Sequence, residues 1–156
     1  ELDFAQNHIR ILSGLYGLIK PLDLILPYRL VMGTKMKVTA KQTNLYKYWG
    51  DQITNLLNKH LSMHGSKFII NLASNEYFKA VSVKKLDGQL ITCTFKEKKG
   101  EEYKVVMTYA KLARGAMSRY IVLNSVDKPE DLKDFNEDGY SFNSGLSSDF
   151  EFVFTR

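Results

Sequence analysis

The stretch from Ile11 to Gly33 constrains the fold of this chain more than any other segment, because glycine and proline recur through it at short intervals. Gly14 and Gly17 lie three residues apart, directly after an apolar run. Glycine permits a positive φ and a close backbone approach, so this pair predicts a tight turn or a point where a ligand meets the main chain. Pro21 and Pro27 impose extended or turning geometry on the residues before them. The segment is therefore predicted to be a shaped loop and not a helix.

The hydrophobic pattern predicts a mixture of strands and helices along the chain. Runs rich in β-prone residues predict strands at 8–12, 28–32, 68–72, 90–96, 103–108, 140–142 and 150–155. Apolar residues at helical spacing predict helices at 45–65 and 109–123, with short helices beginning near 76 and 128. Strands 90–96 and 103–108 flank a charged turn and predict a β-hairpin. The mixture indicates an α/β or α+β fold, with a mixed β-sheet and flanking helices.

Length and composition narrow the class of protein. A chain of 156 residues can bury one core, so a single domain or part of one is expected. The net charge of +5 favours a polyanionic partner. The one cysteine, Cys93, lies in a β-prone run and is expected to be buried or to lie on a strand face, which fits a reducing cytosol. No apolar run approaches the ~18 residues of a membrane span, so no membrane partner is predicted.

The helix predicted at 109–123 carries the clearest binding signal. At about 100° per residue, its small and basic side chains share an arc of roughly 140°. The residues of this arc are Lys111, Arg114, Gly115, Ser118 and Arg119, and the predicted apolar face consists of Tyr109, Leu112, Ala113, Ala116, Met117, Tyr120 and Ile121. Small residues between cations let a phosphate backbone approach closely enough for charge-assisted hydrogen bonds. An ordinary solvated face usually also carries glutamate, and this arc has none.

Lys79, Lys84 and Lys85 form a second basic group. If both groups share one face, they would suit a duplex or a DNA junction; scattered surface lysines are the alternative. Gly14 and Gly17 could also offer backbone N–H groups to phosphate, as in the hairpin of a helix-hairpin-helix motif. Their spacing and the strand predicted before them leave a strand-to-loop site or a purely structural turn open.

A set of polar residues follows two predicted strand ends and could line one pocket. The set contains Ser13, Tyr16, Asp23, Tyr28 and Arg29 from the first loop, and Asn71, Ser74 and Glu76 from the second. Polar clusters at strand ends are how α/β enzymes assemble catalytic groups. No nucleophile and base pair emerges, so no catalytic residue is assigned and a function other than catalysis is favoured.

Two segments resemble parts of metal sites, but neither is predicted to bind a metal ion. His60 and His64 stand four residues apart on a helix, but no neighbouring Asp, Glu or Cys completes a ligand set. Residues 134–139 match the first half of an EF-hand loop, yet Gly145 stands where the bidentate Glu belongs. A helix end and an Asx turn explain these residues, and no metal or other cofactor is expected.

Four blocks of this sequence, in order, resemble the YaaA family of bacterial peroxide-stress proteins. They are the stretches 11–33, 71–80, 109–120 and 135–140, and together the resemblance covers essentially the whole chain. It implies a cytosolic protein that binds DNA and helps to keep intracellular free iron low during peroxide stress. The family carries a substantial segment before the point that matches Glu1, so the chain is expected to be the C-terminal portion of a larger single domain.

These observations lead to one expected function and two alternatives. We expect a cytoplasmic protein that binds duplex or structured DNA without sequence preference, in the peroxide-stress and iron-limiting role that the resemblance implies. The first alternative is an enzyme acting on a nucleotide or small phosphorylated substrate in the strand-end pocket, and the second is an iron-binding protein. The sequence gives no oligomeric state.

Overall fold

The computed structural model describes residues 1–65 and 67–156. The α-helices of this part are α1 (Leu2–His8), α2 (Leu45–Trp49), α3 (Gln52–Leu61), α4 (Asn75–Phe78) and α5 (Met107–Leu123). The strands are β1 (Ile11–Ser13), β2 (Gly17–Ile19), β3 (Phe68–Asn71), β4 (Gln89–Lys99), β5 (Glu102–Lys104), β6 (Ser141–Phe142) and β7 (Glu151–Thr155). Short 3-10 helices occupy Val83–Lys85, Pro129–Asp134, Glu137–Gly139 and Ser144–Leu146.

The chain divides into two compact units. The hairpin unit contains Leu2–Lys67 and Ala73–Gly88, and the sheet unit contains Phe68–Leu72 and Gln89–Arg156 together with Glu1. In the hairpin unit, β1 pairs with β2 in an antiparallel hairpin. Its buried apolar core consists of Leu18, Met32, Leu45, Ile53, Ala80 and Val81. Asn44 caps α2, because its side chain accepts a hydrogen bond from the Lys47 N–H at 2.9 Å.

The sheet unit is built on a mixed five-stranded sheet. Its strand order is β3-β4-β7-β6, and β5 pairs with β4 beside this path. The β3–β4 and β4–β7 pairs are parallel, whereas β6 and β5 are antiparallel to their neighbours. Helix α5 contacts β4. Phe95 lies among the rings of Phe135, Tyr140 and Phe154, with centroid distances of 5.3–6.0 Å, so interlocking aromatic rings form much of this core.

The predicted fold class is confirmed, because helices accompany a mixed five-stranded sheet and a separate antiparallel pair. The strand at 68–72, the helix near 76, the hairpin of β4 and β5, α5 and the closing pair β6–β7 all lie where the pattern predicts them. The segment predicted from 128 is a short 3-10 helix, with Pro129 in its first turn. That the chain is one domain or part of a larger one stays a prediction.

One predicted strand is displaced towards the C-terminus and another is wrong. The strand at 8–12 is replaced by the end of α1 and by β1, which begins only at Ile11. In α1, Phe4 and His8 stack one turn apart with ring centroids 3.9 Å apart, which favours a helix there. Residues 28–32 form no strand, although the run is β-prone. Met32 is buried in the core instead, and the Leu30 carbonyl packs against Gly14, so this segment is fixed by packing and not by strand pairing.

The predicted helix at 45–65 is two helices, because the chain breaks at Gly50 between α2 and α3. Gly50 has φ +47° and ψ −121°, a conformation that strongly favours glycine. The second helix ends at Leu61, short of Gly65. The apolar period continues across the break, so periodicity alone could not reveal it.

The strand predicted at 103–108 is also too long, because β5 ends at Lys104 and α5 begins at Met107. The apolar face of α5 differs from the prediction as well. Ala110 joins Ala113, Met117 and Ile121 on the buried side, whereas Tyr109 and Leu112 are exposed. None of the helices in residues 1–65 and 67–156 combines the length and hydropathy that crossing a membrane requires.

Candidate functional site

The outer face of α5 presents two cations on either side of a glycine. Lys111, Gly115 and Arg119 are spaced four residues apart and are all exposed, opposite the buried residues Ala113 and Met117. Within the described part of the chain, neither Lys111 nor Arg119 has an ion-pair or side-chain hydrogen-bond partner. Both positive charges are therefore available to a ligand at this surface. We call Lys111, Gly115 and Arg119 the α5 face.

Gly115 makes the centre of the α5 face flat. A Cβ atom built at this position would meet nothing within 4 Å. Glycine inside a helix destabilises it by roughly 0.5–1 kcal/mol relative to alanine. Packing within the described chain does not require a glycine at this position. What glycine provides here, and alanine would not, is the open space above the helix backbone.

Arg114 and Ser118 flank the α5 face and are half-buried. The Arg114 Nε donates to the Ala110 carbonyl at 3.2 Å, and partial burial lowers the pKa of its guanidinium. The Ser118 hydroxyl donates to the Arg114 carbonyl at 2.9 Å. Arg114 belongs to the arc predicted for phosphate contacts, but its half-buried side chain bonds back to its own helix.

The second predicted basic group is only partly available. The Lys85 ammonium forms an ion pair with Asp51 at 2.5 Å. The Lys79 ammonium lies 5.4 Å from the centroid of the Tyr46 ring, within cation–π range. Lys84 is exposed and makes no side-chain bond to the residues described. This group belongs to the hairpin unit and the α5 face to the sheet unit, and a shared binding face for the two stays a prediction.

Gly14 begins the turn between β1 and β2 and Gly17 is the first residue of β2. The close approach predicted for these glycines is to the protein itself. A Cβ at Gly14 would lie 2.6 Å from the Leu30 carbonyl oxygen, and one at Gly17 would lie 2.8 Å from the Trp49 ring. Gly17 also has φ +75°. The turn joins two strands, so the helix-hairpin-helix interpretation is wrong for this segment. Binding of nucleic acid by Gly14 or Gly17 remains untested.

The predicted pocket residues of the first loop meet through their hydroxyl groups. Ser13 Oγ shares a 2.5 Å hydrogen bond with the Tyr28 hydroxyl and accepts from the Tyr16 N–H at 2.9 Å. The Tyr16 and Tyr28 rings pack edge to face, 5.4 Å apart. Ser13 is buried, and its contacts are those of a structural hydroxyl, because none of these bonds reaches a base that could activate it.

The charged residues of the predicted pocket stabilise separate turns. Asp23 accepts from the Lys20 N–H at 2.8 Å, and Glu76 accepts from the Gly33 N–H at 3.1 Å. Ser74 precedes α4 without a side-chain capping bond, and Arg29 is exposed with no side-chain partner among the described residues. Asn71, in the sheet unit, is buried and its amide donates to Thr92 Oγ1 at 3.4 Å.

The described part of the structure places no set of metal ligands at the His60/His64 pair or at residues 134–139. Within residues 1–65 and 67–156, no group of three His, Cys, Asp or Glu side chains is placed to hold an ion. At residues 134–139, the Asp138 carbonyl accepts a hydrogen bond from Arg156 Nη1 at 2.8 Å. Cys93 is buried on β4, and desolvation raises the pKa of its thiol to about 12.

Sequence reasoning missed a cluster of basic side chains in the hairpin unit. Arg10 Nε donates to His60 Nδ1 at 2.8 Å, and the ring of His64 lies 5.1 Å from that of His8. Lys20 and Lys59 carry the nearby charges that act on His60. The sequence offered only the spacing of His60 and His64 on one helix, because the other members come from distant parts of the chain.

Comparison with known proteins identifies relatives over the whole chain. The family model for peroxide stress protein YaaA matches residues 1–146. A UPF0246 protein of Neisseria gonorrhoeae is 52% identical over 156 residues, and one of Neisseria meningitidis serogroup B is 53% identical over the same length. Each alignment covers 100% of this chain and 60% of the relative. This chain therefore belongs to the YaaA family of peroxide stress proteins.

Proposed function

We propose that this chain supplies a sequence-independent DNA-binding surface through the α5 face. The observation that carries the proposal is the exposed Gly115 between the two unpartnered cations, Lys111 and Arg119. The open space over Gly115 suits close approach of a phosphodiester backbone, and the cations on either side suit its charge. The two cations flank a flat patch on one helix face, an arrangement that suits neutralisation of phosphates along a backbone, so the contacts that we propose are to phosphates.

The physiological role that we propose follows from the family. A cytoplasmic protein of the peroxide-stress response that limits free iron would protect DNA from oxidative damage, and a DNA-binding surface would be part of that role. The enzyme alternative has less support, because the Ser13 hydroxyl bonds to the Tyr28 hydroxyl and the Tyr16 main-chain N–H, and no described His, Lys, Asp or Glu side chain bonds to it. The α5 face therefore offers the better-supported function for this chain.

The test is a salt titration of duplex binding by the 156-residue chain. We expect Lys111→Gln and Arg119→Gln each to reduce the slope of log affinity against log salt by about 0.9, because each removes one phosphate contact. Lys41→Gln is the matched control, since Lys41 is exposed and has no side-chain partner in the described structure. Equal slopes for the wild type and all three folded variants would disprove binding through the α5 face.

Gly115→Leu separates binding from folding in the same assay. The side chain enters open space, and glycine is the poorer helix former, so the variant should be at least as stable as the wild type. A leucine there would hold a phosphate backbone away from the helix, so duplex affinity should fall several-fold. Unchanged affinity would show that DNA does not approach Gly115.

A further inference from the structure

We propose that the hairpin unit contains a binding site for a phosphoryl group that takes up a proton when the anion binds. We call this site the histidine cluster, and its residues are Arg10, Lys20, Lys59, His60 and His64, with His8 at its rim. The inference does not rest on binding of DNA through the α5 face.

Three separate segments contribute to the histidine cluster. Arg10 follows α1, Lys20 follows β2, and Lys59 and His60 lie in the last turn of α3 with His64 shortly after it. Arg10, Lys20, His60 and His64 are half-buried, whereas His8 and Lys59 are exposed. Partial burial strengthens the interaction of these groups with a bound anion, because water screens them less than it screens a fully exposed lysine.

The hydrogen bonds leave donors available at the cluster. Arg10 uses Nε for His60 Nδ1 and uses Nη1 for the carbonyls of Gln6 and Ile9, at 3.0 and 2.7 Å. These bonds fix the guanidinium and leave Nη2 without a partner in the described structure. His60 Nδ1 accepts a hydrogen bond, so the proton of its neutral ring is on Nε2, which is a further donor. The Lys20 and Lys59 ammonium groups make no side-chain bond to the described residues.

Positive charge in the cluster exceeds the negative charge facing it. Arg10, Lys20, Lys59 and His64 act on His60, and His8, Arg10 and Lys20 act on His64. Asp23 is the carboxylate that acts on Arg10, and its Oδ2 already accepts from the Lys20 main chain. No described carboxylate forms an ion pair with any member. Half-buried cations that outnumber the carboxylates near them and form no described ion pair are a favourable environment for an anion and a poor one for a metal ion.

The histidines couple anion binding to protons. Burial, followed by the nearby positive charges, lowers the pKa of His60, and the same two causes lower the pKa of His64. A hydrogen bond with the Asn7 main chain partly opposes the shift at His64. A bound anion favours the protonated rings, so it raises both pKa values and binding takes up protons. Protonation of His60 at Nδ1 also ends its acceptance from Arg10, which frees Arg10 Nε for the ligand.

A phosphoryl group matches these donors best. It presents several acceptor oxygens in a compact anion, and the histidine cluster contains guanidinium, ammonium and imidazole groups that come from different segments. The group could be part of a nucleic acid backbone or of a free phosphate compound. Both sources share this chemistry, and the experiment distinguishes them.

The experiment measures histidine pKa values by NMR in the 156-residue chain, alone, with inorganic phosphate, and with a short DNA duplex. We expect the pKa values of His60 and His64 to rise with at least one ligand. A rise with inorganic phosphate assigns the site to free phosphate compounds, and a rise with the duplex alone assigns it to the nucleic acid backbone. No rise with either ligand would overturn the proposal.

Affinity for the duplex gives a second measurement, because phosphodiester charge is constant between pH 6 and 8. This affinity is measured in the double variant Lys111→Gln/Arg119→Gln, which lacks the two cations of the α5 face. A pKa rise of one unit at one histidine predicts about tenfold weaker binding above the histidine range than below it. If inorganic phosphate is the ligand that shifts the histidine pKa values, the variants are compared by their affinity for inorganic phosphate and not by their affinity for the duplex.

Two variants and a control complete the test. Arg10→Gln and Lys20→Gln should each weaken binding of the effective ligand several-fold and reduce the histidine pKa shift, whereas Lys41→Gln should change neither. If loss of Arg10 unfolds the chain, Lys20→Gln still tests the proposal. The Lys20 side chain makes no hydrogen bond or ion pair with the described residues, so this variant should fold. Wild-type behaviour of folded Lys20→Gln would overturn the proposal. Failure of the α5 proposal is detected separately, by unchanged salt slopes in Lys111→Gln and Arg119→Gln.

Discussion

Burial determines what chemistry Cys93 can perform. The side chain lies on β4 between Ile91 and Phe95 and is 4% exposed. Reaction with peroxide or an alkylating agent requires the thiolate, and desolvation raises the pKa of this thiol to about 12. The neighbouring strands therefore protect the residue from the oxidant that the family name suggests.

We expect Cys93 to resist alkylation at pH 7.5 in the folded chain and to react rapidly in concentrated urea. The reason is the small thiolate fraction together with the lack of access. Mass spectrometry after timed exposure to iodoacetamide measures both rates. A folded-state rate close to the denatured rate would contradict the structure.

Glu97 is the carboxylate at which the structure predicts a pH effect on folding. It accepts hydrogen bonds from the buried Tyr140 hydroxyl and from Arg156 Nε, the latter at 3.0 Å. Burial alone would raise the pKa of Glu97, but the bonds from Tyr140 and Arg156 and the charge of Arg156 lower it overall. The guanidinium of Arg156 also lies over the rings of Tyr109 and Tyr140, at 4.9 and 4.6 Å.

A lowered folded-state pKa means that ionised Glu97 stabilises the fold above its unfolded pKa of about 4.3. This stability should be lost as the pH falls through the folded-state pKa. Glu97→Gln should therefore be less stable than the wild type at pH 7 and show a smaller loss of stability below pH 4. Urea unfolding followed by circular dichroism across this range measures the difference. Identical pH profiles would contradict the role assigned to Glu97.

Among the elements, the β1–β2 hairpin depends on close packing at its turn. Trp49 Nε1 donates to the Gly14 carbonyl at 3.0 Å, and the Trp49 ring packs against Gly17. Helix α2 thus holds the turn through one side chain. The glycine pattern that opens the sequence is explained by this packing and by the positive φ of Gly17.

We expect Gly17→Ala to destabilise the hairpin unit by about 2–4 kcal/mol, because strain at positive φ is added to a clash with Trp49. Gly100→Ala is the matched control, since Gly100 has φ +64° but nothing within 4 Å of a built Cβ. The control should cost only about 1–2 kcal/mol of backbone strain.

Urea unfolding should be followed by fluorescence of Trp49 for the hairpin unit and by circular dichroism for the whole chain. Trp49 is the single tryptophan of the sequence, so its signal reports on its own unit. Equal losses of stability in the two variants would mean that the contact of Gly17 with Trp49 contributes nothing.

For the whole molecule, the charge distribution bears on the role of iron. The net charge is +5, and within the described residues no carboxylate forms an ion pair with a cation of the histidine cluster or of the α5 face. His60 and His64 lie among positive charges, and His60 Nδ1 is engaged by Arg10. Such surroundings oppose binding of a metal cation at the histidines.

We expect the chain purified anaerobically, with ferrous iron added and then removed by gel filtration, to retain far less than one iron per chain. Elemental analysis measures the ratio. About one iron per chain, lost in His60→Ala/His64→Ala, would contradict this prediction and favour the iron-binding alternative.

The sequence determined those elements whose structure depends on residues that are neighbours in the chain. The glycine turn, the strand at 68–71, the β4–β5 hairpin and α5 each depend on residues close together in the chain, so their patterns were sufficient. The break at Gly50 and the helical residues 2–8 were missed, because the apolar period either continued across the break or was too short to recognise.

Tertiary structure decided the contacts between distant segments, and these define the sites. Lys85 is neutralised by Asp51, 34 residues away, and Arg10 meets His60, 50 residues away. The sequence supplied the cations of both the α5 face and the histidine cluster, but it could not state which ones lack a partner. A charge is available to a ligand only when folding leaves it without a counter-ion, and that depends on the long-range packing that brings side chains together.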